Sequence, residues 1–132
     1  MFETLPKRIL VVDDDPPFLK SISNVLESEG YVVVTANGGQ AGIDAFTEAV
    51  NTLQPFAAVV TDFGMRVVDG RAVAIAVKTT LPSTPVILIT GWGQWFEDDG
   101  GRSLPVDCIL NKPPKLRELR EALAKFFGPP NP

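Results

Sequence analysis

Asp13, Asp14, Asp62, Thr90 and Lys112 each stand at or just past the end of a short apolar run. The runs are RILVVDDD at Arg8–Asp15, FAAVVTDF at Phe56–Phe63, PVILIT at Pro85–Thr90 and VDCIL at Val106–Leu110. Brought to one place, the carboxylates repel one another, and at least one pKa rises unless a cation joins them. Hard oxygen ligands without thiolate or imidazole favour Mg²⁺, which keeps several waters and welcomes a phosphate oxygen. Lys112 and the Thr90 hydroxyl then hold the other phosphate oxygens, and Asp62 is a carboxylate nucleophile suited to forming an aspartyl-phosphate. Phosphoryl transfer asks for little beyond in-line positioning and this charge neutralisation. The chain has no histidine, which excludes imidazole acid–base chemistry, His metal ligation and Ser-His-Asp triads.

Each residue also has a plain reading. Asp13-Asp14-Asp15 is a solvated strand end, Asp62 a structural or capping acid, Thr90 a strand-end hydroxyl, and Lys112 a loop lysine before two prolines. What favours chemistry is that all of them must fall on one edge of the fold, which depends on the elements that carry them.

Those elements alternate. Arg8–Asp15 reads as a strand buried on both faces. Pro16-Pro17 suits a first helical turn, and Phe18, Ile22, Val25 and Leu26 recur at helical spacing until Gly30. Tyr31–Ala36 is a second apolar run, Asn37-Gly38-Gly39 a turn, and Ala41–Val50 a helix with Ile43, Phe46 and Val50 on one face and Asp44 and Glu48 on the solvated one. Phe56–Phe63 is the third strand. Asp69-Gly70 is turn or cap chemistry opening a helix to Thr79, although Val73, Ile75 and Val77 weaken its propensity. Pro85–Thr90 and Val106–Leu110 are the fourth and fifth strands. Lys115–Phe127 closes as an amphipathic helix with Leu116, Leu119, Leu123 and Phe126 inward. Trp92–Leu104 sits where a fourth helix belongs, yet it holds three glycines and little periodicity, which predicts a short or irregular helix or a loop. Strands alternating with helices predict an α/β, doubly wound parallel sheet with helices on both faces, and ligands in the crevice beyond the strands' carboxyl ends.

At 132 residues the chain fits one domain: an N-terminal extension over 1–7, the domain over 8–127 and a flexible tail over 128–132. A net charge of −4 argues against direct nucleic-acid binding. No apolar run approaches a membrane span, and Met1–Pro6 is too short and polar for a signal peptide. The lone Cys108, most simply a small core residue, points to a reducing cytoplasm.

In this order and at these intervals, ILVVDDDP, VVTDFGM followed by DG, PVILITG and ILNKPP resemble the receiver (response-regulator) family of two-component signalling, from Arg8 to Phe127. The resemblance implies a flavodoxin-like five-stranded parallel sheet of order 2-1-3-4-5. It implies phosphoryl transfer onto Asp62 from a histidine kinase or histidine phosphotransfer protein. The metal set becomes Asp14 directly, Asp13 through water, Asp62 and the backbone carbonyl of Gly64, with Mg²⁺ as cofactor. Thr90 becomes the switch hydroxyl and Lys112 the phosphate-pairing lysine, and the Lys112–Pro113 bond is expected to be cis. A downstream protein target or output domain would read the surface of the fourth and fifth helices, and that face leaves a homodimer open. Such a protein is a signalling phosphoacceptor with self-phosphorylation and self-dephosphorylation chemistry rather than a metabolic enzyme.

The sequence departs from the family at three places. Arg66 stands where proline is usual, near the site, where it biases incoming anions or pairs with a partner acid. Ile109 replaces the usual switch aromatic, so a rotating ring is absent there. Trp92, two residues past Thr90, with small Gly64 offers no polar group to orient water, which predicts a long-lived phosphorylated form. Trp92 and Trp95 also read as plain apolar anchors or as a partner patch. Two alternatives compete. Asp13-Asp14-Asp15 also fits the opening of haloacid-dehalogenase-like phosphatases, but prolines follow it, and Glu118 and Glu121 alone succeed the lysine as acids. A degenerate receiver that binds partners without phosphorylation would have lost an acid or the lysine, and here none is lost.

Overall fold

The computed structural model of the chain describes residues 5–91 and 104–128. In chain order its elements are β1 (Arg8–Asp13), α1 (Pro16–Ser28), β2 (Val32–Asn37), α2 (Gly39–Asn51), β3 (Ala58–Asp62), α3 (Gly70–Thr80), β4 (Val86–Thr90), β5 (Cys108–Asn111) and α4 (Leu116–Phe127). The strands form one five-stranded parallel sheet in the order β2-β1-β3-β4-β5. This is the expected doubly wound topology.

Side chains alternate across the sheet and so build two cores. Ile9 and Val11 of β1, Val60 of β3 and Ile87 of β4 face Leu19, Ile22 and Leu26 of α1 and Leu119 and Leu123 of α4. Leu10, Val12 and Val59 face the other way, onto Phe46 of α2 and Val73 and Val77 of α3. A central strand packed on both sides is buried almost throughout, which is why β1, β3 and β4 read as apolar runs with polar residues only toward their ends.

Helix boundaries follow local chemistry. Prolines occupy the first turn of α1, where a missing N–H costs nothing. The Asp69 carboxylate caps α3 by accepting from the Ala72 N–H at 3.0 Å. Two of the three β-branched residues that weaken α3 on propensity are buried: Val73 and Val77 have no solvent exposure, whereas Ile75 is 46% exposed. Packing overrides propensity there.

Two expectations need correction. Leu116 does not point inward; it is 40% exposed, and Ala122 joins Leu119 and Leu123 in the buried face of α4. β5 begins at Cys108 rather than Val106. Asp107 leaves the strand because its carboxylate accepts from the Val86 N–H at 2.8 Å and pairs with Lys78 at 2.7 Å, tying the start of β5 to α3 and β4. The Lys112–Pro113 bond is cis, as expected. The irregular fourth helix expected at 92–104, with Trp92 and Trp95, lies outside the described residues apart from Leu104, which is buried against Leu88. Among the described residues, no helix is long and apolar enough to cross a membrane.

Candidate functional site

Parallel pairing brings the carboxyl ends of β1, β3, β4 and β5 to one rim. Asp13 closes β1, Asp62 closes β3 and Thr90 closes β4, in register with Asn111, the residue before Lys112. Asp14 follows one residue past β1. Asp13 has no solvent exposure, and Asp62 and Thr90 are buried, whereas Asp14 is half-buried. Carboxylate oxygens of Asp13, Asp14 and Asp62 lie within 4.8 Å of one another.

Lys112 crosses this acidic cluster. Its Nζ donates to Asp13 Oδ2 at 2.8 Å and lies 3.5 Å from Asp62 Oδ2. Burial opposes its charge, but the bond to Asp13 and the attraction of Asp62 and Asp13 prevail, so its pKa stays above the ordinary lysine value. Asp62 is pushed the other way: burial raises its pKa, the Asp13 charge raises it further, and Lys112 offsets only part of this. A carboxyl so raised is one whose charged form an added cation would favour.

The remaining contacts hold the acids in place. The Asp15 N–H donates to Asp13 Oδ1 at 3.0 Å, and the Arg66 N–H donates to Asp14 Oδ2 at 3.2 Å. Gly64 lies on an open cleft of roughly 700 Å³ shared with Asp14, Asn37, Gly38, Met65 and Arg66. The structure therefore clusters Asp13, Asp14 and Asp62 with Lys112 paired to the first and third, and places Thr90 and Gly64 on the same rim.

Two supporting residues escape a reading by spacing. Phe18, which fits an apolar helical stripe, turns its ring to Lys112 Nζ at 4.6 Å from the centroid, a cation–π contact that fixes the lysine. Gly70, read as cap chemistry, packs so close that a Cβ there would lie 2.3 Å from the Asp62 carbonyl oxygen. Any side chain at 70 would displace the end of β3. The Asp-Gly pair was the visible signal, but the close approach is tertiary. Ile109 sits part-buried with Phe63 and Val106 against Leu88 and Leu104.

The donor set is all oxygen, crowded and partly buried, with one lysine as counter-charge, and it fits a hard divalent cation such as Mg²⁺.

The family model described as the response regulator receiver domain matches residues 9–124. The chain is 32% identical over 118 residues to the transcriptional regulatory protein GlrR of Escherichia coli (strain K12), covering 89% of this chain and 26% of that protein. It is 29% identical over 126 residues to the sensor protein GacS of Pseudomonas syringae pv. syringae, covering 92% of this chain and 13% of that protein. It thus spans about a quarter or less of the length of these relatives. Among solved structures, the response regulator TrrA of Thermotoga maritima, in complex with Mg(2+)-BeF, superposes with a TM-score of 0.79 at 28% identity, over 91% of this chain and 98% of that one.

Proposed function

The chain belongs to the response regulator receiver domain family, and from that membership we propose that Asp62 accepts a phosphoryl group in a Mg²⁺-dependent reaction and that the modified domain presents an altered protein-binding surface. The observation that carries this reading is Lys112 Nζ held between buried Asp13, at 2.8 Å, and Asp62, at 3.5 Å, beside a third carboxylate.

Asp13, Asp14, Asp62 and the Gly64 carbonyl would hold Mg²⁺. When bound, the ion supplies the positive charge that lets a phosphoryl dianion approach an acidic pocket. Asp62 would supply a carboxylate oxygen as nucleophile. Lys112, already charged and braced by Asp13 and the Phe18 ring, shifts its partner from the Asp62 carboxylate to a phosphoryl oxygen. The Thr90 hydroxyl, at the end of β4, donates to another. Phosphorylation then biases the domain between two populations through Thr90 and the chain that follows it. The phosphoryl source is a protein phosphohistidine, on a histidine kinase or histidine phosphotransfer protein, and the reader is a downstream protein target or output domain. TrrA's complex with Mg(2+)-BeF supports the metal and phosphoryl assignment. A cytoplasmic setting follows from the same partners.

Incubation with acetyl phosphate and Mg²⁺, read by intact-protein mass, tests this. Wild type should gain the mass of one phosphoryl group, dependent on Mg²⁺, and Asp62→Asn should gain none. Retained Mg²⁺-dependent labelling in Asp62→Asn would sink the assignment.

A further inference from the structure

The loop between β3 and α3 carries a cation in an unusual setting. Arg66 lines the cleft that opens at the site, with Asp14, Asn37, Gly38, Gly64 and Met65. Its backbone is fixed on both sides. The Arg66 N–H donates to the Asp14 carboxylate at 3.2 Å, and the Arg66 carbonyl accepts from the Val68 N–H at 2.7 Å. That second bond spans Val67, whose φ is +65°, and closes a tight three-residue turn. A β-branched residue rarely adopts this conformation, and Val67 is fully exposed, so packing of its side chain does not explain it. Buried Met65 anchors the loop on the other side. The strained turn keeps Arg66 at the lip of the cleft.

The Arg66 side chain is exposed, and among the described residues it has no ion pair. Lys112, by contrast, is committed to Asp13 and Asp62. Among the described residues lining the cleft, Arg66 is thus a positive charge with no ion pair, set beside the Asp14 carboxylate at the edge of the acidic cluster.

We propose that Arg66 is a specificity-determining residue that selects phosphodonors by charge, raising capture of dianionic phosphoryl donors at the mouth of the site. The inference rests on the phosphoacceptor reading of Asp62. In the transfer it assists, an Asp62 oxygen bonds to phosphorus as the bond from phosphorus to the acyl oxygen breaks. The electron pair leaves on acetate and no proton is needed. Arg66 touches neither breaking nor forming bond; it sets the local potential.

A cation at this position has two effects of opposite sign. It attracts the dianion and repels Mg²⁺. Arg66→Ala should therefore lower kcat/KM for acetyl phosphate about five-fold at low ionic strength, with Mg²⁺ saturating, while tightening Mg²⁺ binding by a few-fold. Arg66→Glu should enlarge both changes, and Arg66→Lys should restore wild-type behaviour. High salt should erase the difference in kcat/KM. Phosphoramidate, whose ammonium leaves it monoanionic and which releases ammonia as its phosphorus–nitrogen bond breaks, should lose less than acetyl phosphate. That contrast separates acyl phosphates from phosphoramidate-type donors, the chemical class of phosphohistidine. A loop merely disordered by the substitution would weaken Mg²⁺ binding and donor capture together, and that result overturns the proposal. Normal labelling of wild type with unchanged kinetics and Mg²⁺ affinity in Arg66→Ala overturns it too. Absence of any Asp62-dependent labelling in wild type would instead overturn the phosphoacceptor reading, and this inference with it.

Discussion

Asp62 is the residue at which stability and function pull apart. Burial first, and the neighbouring Asp13 charge second, raise its pKa in the folded protein, and Lys112 only partly opposes them. A carboxyl whose folded pKa lies above its unfolded value favours the fold while protonated, and that contribution is lost as pH rises through the folded pKa. At neutral pH, without metal, the charged Asp62 therefore strains the rim. Asp62→Asn keeps the shape and removes the charge. In metal-free buffer near neutrality it should be the more stable protein, by on the order of 1 kcal/mol, with the gap closing as pH falls below the folded pKa. Urea denaturation of both proteins from acid to neutral pH checks this. Equal or lower stability of Asp62→Asn at neutral pH would mean that Lys112 outweighs burial and Asp13. At this scale no charged residue was decisive alone, since each has an ordinary structural reading; they were legible together because a parallel sheet brings the ends of their apolar runs to one edge. Phe18 and Gly70 were not. An aromatic at helical spacing looks like core whatever it touches, and the contact of Gly70 with the Asp62 carbonyl joins positions that only the fold brings together.

Helix ends show the same limit one level up. α1 and α2 finish alike. After α1, the Gly30 N–H bonds the Glu27 carbonyl and the Tyr31 N–H bonds that of Leu26; after α2, the Leu53 N–H bonds Val50 and the Gln54 N–H bonds Ala49. Both are Schellman caps with the next residue left-handed, at φ +95° for Gly30 and +61° for Leu53. Gly30 announced its helix stop in the sequence. Leu53 did not, because leucine is a helix former and nothing in its type signals a positive φ. Leu53 is 88% exposed, so its side chain returns little for that conformation. Leu53→Gly should stabilise the protein by about 1 kcal/mol, a rise of roughly 3–5 °C in Tm for a domain of this size. An unchanged or lower Tm in a calorimetric melt would show that Leu53 makes compensating contacts. Elsewhere the alternation of strands and helices was readable because parallel sheets demand it, and boundaries slipped where a side chain intervened, as Asp107 does at the start of β5.

For the whole molecule, the consequence is that the site exists only in the fold. Asp13 and Asp14 come from the end of β1 and Asp62 from β3, with Lys112 beyond β5; the lysine lies 99 positions along the chain from the Asp13 it bonds. The sheet between them is also the shared wall of both cores, one under α1 and α4 and the other under α2 and α3. Loosening the rim by loosening the sheet therefore opens both cores. A cation bound by these carboxylates has no equivalent site in the unfolded chain, so its binding energy adds to global stability. Mg²⁺ at a hundred-fold excess over its Kd should add about 2.7 kcal/mol. The slowest-exchanging amides of β1, β3 and β4 should then gain about a hundred-fold in protection, together, on both faces of the sheet. Asp14→Asn should lose most of that gain while keeping the fold, since Asp14 is half-buried and, among the described residues, its carboxylate holds only the Arg66 N–H. Hydrogen exchange with and without Mg²⁺ decides the matter. Added protection confined to amides near the rim would mean that the strand ends open locally without the cores, and that metal binding steadies the site rather than the molecule.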